Sequence, residues 1–383
     1  MKAGIVVAFS VALLLSACGD DLSSTPAVEK VNNVVPVTVG KGDGTAGGNL
    51  PTTTVTICVP GTSQCQSIDN VLIDTGSSGL RLFARDVSLS LPAVTLNGSS
   101  LSAQAGFLDG TLLRGDVKRA DIKLAGEIAT SVPIHVVTDR SLPGDPAAAQ
   151  AKLGSPTNGI LGVSHAIQDC GDKCSGDATQ YETYYVSEQG KTRFVPVPLA
   201  DQVTNPIALF PVHNNGFLLD LPPLTDGRPD KLTGTMVFGI GTASNNQLGS
   251  ASVLTLDASG NISTVFNGRS LPNSFIDSGT QILIFPFEGG PVCASEPDFY
   301  CPTSTQTLSA EMVGANGVHK LVSFQIESPE SVDPNRSAAN IGKSSDLAQG
   351  SFLWGMPFFF GRKVFVALDG KATPGGVGPY NAF

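Results

Sequence analysis

The stretch Val71-Leu72-Ile73-Asp74-Thr75-Gly76-Ser77-Ser78-Gly79-Leu80 places an acidic residue directly after an apolar run. The apolar residues predict a buried strand, and Thr, Gly and Ser predict a turn where the strand ends. A carboxylate at the end of a buried strand costs free energy unless hydrogen bonds satisfy it or chemistry employs it. Asp74 is therefore a candidate functional residue, although Asp-Thr-Gly-Ser taken alone is also an ordinary Asx-turn sequence.

The same arrangement occurs again in the second half of the chain. Ser274-Phe275-Ile276-Asp277-Ser278-Gly279-Thr280 also passes from apolar residues into Asp, a hydroxyl residue and Gly, and Asp277 lies 203 residues after Asp74. Each motif is followed by an apolar segment containing glycine, Asn158-Gly159-Ile160-Leu161-Gly162-Val163 and Leu353-Trp354-Gly355. Glycine within a strand indicates close approach of another backbone. The pattern predicts a degenerate internal duplication with one Asp in each lobe.

Composition favours a two-lobed β protein. The chain has 383 residues, of which 41% are hydrophobic and 15% charged, so it can bury a large core and suits two lobes. Its 43 Gly and 26 Pro, with β-branched runs between them, favour many short strands joined by turns. The net charge of −10 argues against nucleic acid as a partner, because there is no surplus of Lys and Arg to neutralise phosphates.

The N-terminus has the features of an export signal. Lys2 precedes the apolar run 3–15, which is too short to span a bilayer, and Leu15-Ser16-Ala17-Cys18 resembles the bacterial lipobox. We expect residues 1–17 to be a lipoprotein signal peptide, with a lipid on Cys18 attaching the protein to a membrane. Gly19, rather than Asp, after the cysteine favours the outer membrane of a Gram-negative cell envelope. The alternative is an ordinary cleaved secretory signal with an incidental cysteine.

The other six cysteines are an even number in an oxidising compartment, which favours disulfides. Pairing of sequence neighbours gives Cys58 with Cys65, Cys170 with Cys174, and Cys293 with Cys301, although the sequence alone does not fix the connectivity. His165, Cys170 and Cys174 are close enough in sequence to share a zinc ion. However, the chain has only 4 His and no matching second pair of ligands, so we predict no metal and no cofactor.

Two other motifs give weaker functional predictions. Residues 42–47 match G-x-G-x-x-G, but the following residues favour a strand, whereas a dinucleotide site needs a helix N-terminus there. Gly162-Val163-Ser164-His165-Ala166 resembles a serine-hydrolase elbow with its last glycine replaced, and it lacks a following helix and an evident triad. The first is better explained as a flexible turn, and the second is not favoured as a catalytic site.

Taken in order, the motifs from about residue 53 to the end resemble those of the pepsin-like aspartic peptidases, and particularly a bacterial lipoprotein branch. Asp74-Thr75-Gly76-Ser77-Ser78 and Asp277-Ser278-Gly279-Thr280 match the two active-site motifs, and the glycine-containing segments match the strands beneath them. The resemblance implies an all-β bilobal fold with a cleft between two pseudo-twofold-related lobes. We expect a flexible linker at 18–50, an N-terminal β lobe at 51–222 and a C-terminal β lobe at 223–383.

The resemblance also implies roles for individual residues. Asp74 and Asp277 would be catalytic and share one proton, an effect for which pepsin is a standard case. Supporting residues of the two loops would be Thr75, Gly76, Ser77, Ser278, Gly279 and Thr280, and a flap over the substrate would contain Phe107, Gly110 and Thr111. Phe107 stands where the family usually has Tyr, and Arg81 stands where it commonly has Trp; both departures bear on how the flap closes.

These predictions together indicate an aspartic endopeptidase of the cell envelope. It would act as a monomer on extended polypeptide, using a water activated between Asp74 and Asp277. The alternative is a catalytically silent protein of the same fold that binds peptides or envelope components. The polar segment 168–196 is not assigned by the resemblance and could be a lid, a partner surface or a long loop.

Overall fold

A computed structural model describes residues 1, 32–40, 48–108, 110–138, 157–176, 181–224, 232–333, 336–344 and 350–383. Within these ranges the protein is almost entirely β, which confirms the predicted class. The predicted signal peptide and Cys18 lie outside the described residues. No helix in the described part of the chain is long and apolar enough to cross a bilayer.

Twenty-five strands and a single α-helical turn are assigned in the described ranges. The strands of the first half are β1 (Val34–Gly40), β2 (Leu50–Cys58), β3 (Cys65–Asp74), β4 (Ser78–Phe83), β5 (Thr95–Leu96), β6 (Ser99–Gly106), β7 (Leu112–Leu124), β8 (Glu127–Val137), β9 (Gly159–Val163), β10 (Tyr184–Glu188) and β11 (Lys191–Phe194), with helix α1 at Asp172–Ser175. The strands of the second half are β12 (Gly216–Asp220), β13 (Leu232–Phe238), β14 (Val253–Thr255), β15 (Ile262–Phe266), β16 (Arg269–Ile276), β17 (Leu283–Ile284), β18 (Gln306–Val313), β19 (His319–Ile326), β20 (Gly342–Lys343), β21 (Leu353–Trp354), β22 (Lys363–Ala367), β23 (Ala372–Thr373), β24 (Gly376–Val377) and β25 (Tyr380–Ala382). Short 3₁₀ turns lie at Ala84–Asp86, Leu199–Asp201, Pro206–Leu209, Pro329–Ser331 and Met356–Phe358.

The largest sheet contains strands from both halves of the sequence. Its order is β11-β10-β6-β7-β8-β4-β9-β3-β2-β1-β13-β12-β22-β25-β14, with β5 beside β6. Strand β1 connects the two halves, because it pairs with β2 on one side and with β13 on the other. A second sheet, β19-β18-β15-β16-β21-β17-β20, belongs entirely to the second half, and β23 and β24 form a hairpin.

The prediction of a flexible linker over 18–50 is wrong for residues 34–40. This segment is β1, in which Val35, Val37 and Val39 are buried and the residues between them are more exposed. That alternation is the two-residue period of a strand with one face in the core. The linker prediction gave too much weight to the surrounding glycines, because the strand's partner β13 lies almost two hundred residues away and cannot be read from local sequence.

The first Asp strand is organised around β9. Strand β3 pairs with β9 in parallel and β4 pairs with it antiparallel, so β9 lies between the strand that enters the Asp74 turn and the strand that leaves it. Gly162 stands opposite both Asp74 and Gly79. A Cβ at position 162 would lie 2.8 Å from the carbonyl oxygen of Ser77, so the turn requires glycine beneath it.

The second half repeats this arrangement with shorter strands. Strand β16 pairs in parallel with β21, and β17 pairs with β21 antiparallel. The Asp277 amide donates to the carbonyl of Trp354 at 3.0 Å, and a Cβ on Gly355 would lie 2.0 Å from the carbonyl oxygen of Ile282. The internal duplication indicated by the sequence is therefore present around both aspartates.

Three disulfides have the connectivity predicted from neighbouring cysteines: Cys58–Cys65, Cys170–Cys174 and Cys293–Cys301. The Cys170–Cys174 bond removes both thiolates from the alternative zinc site. Glu330 lies near the Cys293–Cys301 pair in a grouping with metal-binding spacing, but these sulfurs are likewise committed to a disulfide.

The segment 168–196 extends the large sheet rather than forming a long loop. Its described residues contain helix α1 and the hairpin of β10 and β11. Strand β10 pairs with β6, so the segment lies beside the hairpin of β6 and β7 in which the flap was predicted.

Candidate active site

The structure brings the two Asp motifs together. We define the first loop as Asp74–Ser78 and the second loop as Asp277–Thr280. Asp74 ends β3 and Asp277 follows β16, and both are buried, with 5% and 8% of their surface exposed. The Thr75 amide donates to the Ser278 hydroxyl at 3.1 Å, and the Ser278 amide donates to the Thr75 hydroxyl at 2.9 Å. The hydroxyl groups of Thr75 and Ser278, which hold equivalent positions in the two motifs, therefore bind the two loops to each other.

Each of these hydroxyls also donates to a strand of the opposite motif. The Ser278 hydroxyl donates to the carbonyl of Ile73 at 2.7 Å, and the Thr75 hydroxyl donates to the carbonyl of Ile276 at 3.3 Å. The four hydrogen bonds satisfy the buried amides of Thr75 and Ser278 and join each loop to the carbonyl at the end of the opposite strand. The loops are thus fixed by groups that an apolar side chain could not replace.

Two local hydrogen bonds orient each carboxylate. The Gly76 amide donates to Oδ1 of Asp74 at 2.8 Å, and the Ser77 hydroxyl donates to Oδ2 at 2.5 Å. In the second loop, the Gly279 amide donates to Oδ1 of Asp277 at 2.8 Å, and the Thr280 hydroxyl donates to Oδ2 at 2.6 Å. The two carboxylates therefore have equivalent surroundings, as expected for duplicated loops.

The glycines allow the carboxylates to meet. A Cβ on Gly76 would lie 2.8 Å from Cγ of Asp277. A Cβ on Gly279 would lie 2.6 Å from Oδ1 of Asp74 and 3.2 Å from Oδ1 of Asp277. Each glycine thus packs against the carboxylate of the other loop, and any larger residue would push the pair apart.

Electrostatics favour one proton on this pair. Burial raises the pKa of Asp277, and the negative charge of Asp74 raises it further, whereas hydrogen bonds from Thr280 and Gly279 lower it in part. A hydrogen bond between the two aspartates also contributes to the raised pKa. Two carboxylates in such proximity do not both ionise, so their proton belongs to the pair.

The predicted flap residues lie in the turn between β6 and β7. The Phe107 amide donates to the carbonyl of Thr111 at 2.9 Å, and the Gly110 amide donates to the carbonyl of Phe107 at 3.0 Å. We call β6, β7 and this turn the flap hairpin. The ring of Phe107 is half-buried against an apolar cluster of Phe83, Leu113, Val137 and Ile160. Its role toward a substrate stays a prediction.

A cavity of about 210 Å³ adjoins the first loop. It is lined by residues of both halves, including Gly76, His165, Asn261 and Phe275. Burial lowers the pKa of His165 from its ordinary value, and the nearby Asp369 partly opposes that change. The cavity therefore adjoins the backbone of the first loop, and its lining does not include Asp74 or Asp277.

Asn49 is a supporting residue that the sequence motifs do not identify. Its buried side-chain amide donates to the carbonyl of Gln281 at 2.7 Å and to that of Ala339 at 2.7 Å. Its side-chain oxygen accepts from the Ala339 amide at 2.9 Å. Asn49 therefore holds the chain just after the second loop. No local signal indicates this role, because its partners are 232 and 290 residues away.

The family assignment follows from comparison of the whole chain. A family model described as "Protein of unknown function (DUF3443)" matches residues 29–383. The chain belongs to the DUF3443 family. No curated protein matches this DUF3443 protein in sequence.

Comparison with the solved structure of another protein supports the fold of this DUF3443 protein. The chain is similar to the crystal structure of an aspartic proteinase from Irpex lacteus, with a TM-score of 0.52 and 16% sequence identity. The similarity covers 91% of this chain and 96% of that chain. The predicted bilobal pepsin-like architecture is therefore confirmed at the level of the fold, and the activity is a separate matter.

Proposed function

We propose that this DUF3443 protein is an aspartic endopeptidase. The observation that carries the proposal is the buried Asp74–Asp277 pair, held by reciprocal hydroxyl bonds between two duplicated loops. Structural ion networks also perturb pKa values, but they join opposite charges, whereas this pair brings together two acids that do not both ionise. Such an arrangement costs stability and is typical of a site where the shared proton has chemical use.

The chemistry follows from the unequal state of the two acids. Asp277, whose pKa is raised, holds the proton and donates a hydrogen bond to the carbonyl oxygen of the scissile peptide. Asp74, fixed by Gly76 and Ser77, acts as the base and removes a proton from a water molecule as that water attacks the carbonyl carbon. Transfer of the Asp277 proton to the carbonyl oxygen completes a diol intermediate. Its C–N bond breaks when Asp74 passes the proton taken from water to the amine nitrogen and Asp277 takes a proton back from a diol hydroxyl. Products leave as a free carboxyl and amine, and the pair is again singly protonated.

The substrate class is extended polypeptide. The flap hairpin carries an exposed residue at its tip, Leu108, with 63% of its surface exposed. A two-stranded hairpin can pair with an extended backbone and needs no fixed substrate fold. Cleavage occurs in the bacterial cell envelope, where a lipid on Cys18 holds the enzyme at a membrane. In this proposal the enzyme acts as a monomer and uses no cofactor.

A cleavage assay tests the activity. The chain from Gly19 onward is incubated with denatured casein between about pH 3 and 7, with and without a statine-type inhibitor that mimics the diol intermediate. We expect inhibitor-sensitive cleavage with an optimum on the acid side, where the shared proton is retained. Absence of inhibitor-sensitive cleavage across this range contradicts the proposal.

The second candidate is a silent peptide-binding protein. Two departures from the pepsin-like pattern favour it. Phe107 lacks the hydroxyl of the Tyr that is usual in the flap of pepsin-like peptidases, and Arg81 replaces their common Trp. The cleavage assay and the affinity for the statine-type peptide together separate the two functions. A silent binder would hold the statine-type peptide without cleaving casein, and its affinity would persist in the Asp74→Asn variant.

Replacing Gly279 by Ala tests whether contact between the loops matters for cleavage. The added methyl would meet Oδ1 of Asp74, so we expect kcat/KM to fall by about 10²-fold because the pair is displaced. The melting temperature should fall only modestly, since the atoms met belong to side chains and not to the backbone. Gly176→Ala is the control, because its Cβ would lie 3.9 Å from the carbonyl oxygen of Asp172. Equal kcat/KM in the two variants would refute the role of this contact.

Replacing Cys18 by Ser tests the lipid anchor. Without a thiol to acylate, we expect the protein to move from the membrane to the soluble fraction after cell fractionation. Mass spectrometry of the wild-type N-terminus should show acyl chains on residue 18. A membrane-bound Cys18→Ser protein would contradict the anchor without bearing on catalysis.

A further inference from the structure

Arg81 is a buried cation directly after the first loop, with 3% of its surface exposed. Its Nη1 donates to the carbonyl of Ser78 at 2.6 Å and to that of Gly79 at 3.3 Å. Its Nη2 lies 3.1 Å from Oδ2 of Asp169, in the segment 168–196. Burying a guanidinium costs free energy, and these carboxylate and carbonyl oxygens offset that cost at its two terminal nitrogens. Arg81 therefore joins the end of the first loop to the segment 168–196.

Asp169 continues the connection through its second oxygen. The Tyr184 hydroxyl donates to Oδ1 of Asp169 at 2.5 Å and accepts from the Val203 amide at 2.7 Å. Burial raises the pKa of Asp169 to about 6, and Arg81 and Tyr184 oppose that rise. His135, which stands opposite Arg81 on β8, is neutral because burial and the Arg81 charge lower its pKa to about 3. Asp169 is thus the counter-charge of Arg81.

Tyr184 brings the connection to the flap hairpin. It lies in β10 opposite Ala103 of β6. One residue further along β6, the Gln104 amide donates to the carbonyl of Thr183 at 2.8 Å, and its side chain donates to the carbonyl of Glu182 at 2.6 Å. The flap hairpin is therefore bonded along its outer edge to the same segment that Asp169 ties to Arg81.

We propose that Arg81, Asp169 and Tyr184 form a positioning chain that fixes the flap hairpin relative to the first loop. Its effect is on how an extended polypeptide is enclosed, so this proposal rests on the proposed peptidase function. None of the three residues touches the reacting atoms; they act through the backbone of Ser78 and the edge of β6.

Tyr184→Phe is the direct test, because it removes one hydroxyl and keeps the buried ring. In the full-length chain we expect amides of residues 99–113 to exchange with solvent about 5-fold faster, while amides of β18 and β19 keep their wild-type rates. With a peptide substrate, KM should rise about 5-fold and kcat should change less than about 2-fold. Tyr181→Phe, in the same segment but outside the positioning chain, is the matched control and should match wild type in both measurements.

Wild-type exchange at residues 99–113 together with an unchanged KM in Tyr184→Phe would overturn the positioning chain. Should that variant fail to fold, Gln104→Ala severs the next contact along the same route and is measured in the same way. If the wild-type chain does not cleave peptides, amide exchange and the affinity for a statine-type peptide still decide. Faster amide exchange together with weaker peptide binding in the variant would then support the positioning chain and refute only the proposed peptidase activity.

Discussion

Replacing Asp277 by Asn is expected to lower kcat/KM by at least about 10³-fold. The amide retains the shape of the carboxyl group and a carbonyl oxygen for the Gly279 amide, but it cannot hold the exchangeable proton of the pair. Asp74→Asn should have an equal effect for the complementary reason, because it removes the base that accepts the proton of water. The measurement is kcat/KM on one peptide substrate across the acid range.

The same substitution should make the protein more stable at neutral pH. The raised pKa of Asp277 means that its protonated form is favoured by folding, so this contribution is present below the ordinary Asp pKa and is lost as pH rises through the raised value. A tenfold change in the acid dissociation constant between the unfolded and folded chain corresponds to about 1.4 kcal/mol. Removing the unfavourable ionisation of Asp277 should therefore raise the melting temperature at pH 7 by roughly 2–4 °C, with a smaller gain near pH 4.

Asp121→Asn is the matched control for both effects. Asp121 is another buried aspartate, and it accepts from the amides of Gly61 at 2.9 Å and Ser131 at 2.7 Å. It has no acidic neighbour among these contacts, so its replacement should lower the melting temperature and leave kcat/KM within about 2-fold. A destabilised Asp277→Asn protein that still cleaves peptide would refute the shared proton and the mechanism together.

The features predicted correctly from sequence are those with a local chemical signature. The two turns at Asp74 and Asp277 are recognisable because apolar residues, a carboxylate and small turn residues occur in one short run, whereas the catalytic role of these residues stays a prediction. Gly162 and Gly355 were recognisable because a strand keeps glycine only where another backbone approaches closely. The disulfides follow the same rule, since each joins cysteines at most eight residues apart.

The features that could not be predicted depend on distant partners. Strand β1 is a short valine-rich run whose assignment rests on pairing with β13, and Asn49 has no motif around it. Arg81 was visible only as a departure from the family pattern. Its counter-charge, Asp169, lies 88 residues away in a segment that the pattern left unassigned. Such contacts become predictable only when the sheet order is known.

Gly355→Ala should be the most damaging of the small substitutions. A Cβ at this position would lie 2.0 Å from the carbonyl oxygen of Ile282 and 2.6 Å from that of Thr280. Both atoms are backbone, so relief requires movement of β17 or of the second loop. Overpacking of this kind costs about 3 kcal/mol or more, and we expect a melting temperature lower by roughly 6–10 °C. Catalysis should fall as well, because the Thr280 carbonyl accepts from the Met356 amide at 2.8 Å.

Gly350→Ala separates this steric effect from the general entropy change of replacing glycine. Its Cβ would come no nearer than 3.5 Å to Nδ2 of Asn273, which is ordinary contact. That variant should therefore keep the wild-type melting temperature to within about 2 °C or be slightly more stable, since alanine restricts the unfolded chain. Equal melting temperatures for the two variants would show that Gly355 is not closely packed against the backbone of the second loop and of Ile282. The close packing of glycine beneath each aspartate, on which the geometry of the pair depends, would then be wrong for the second half of the molecule.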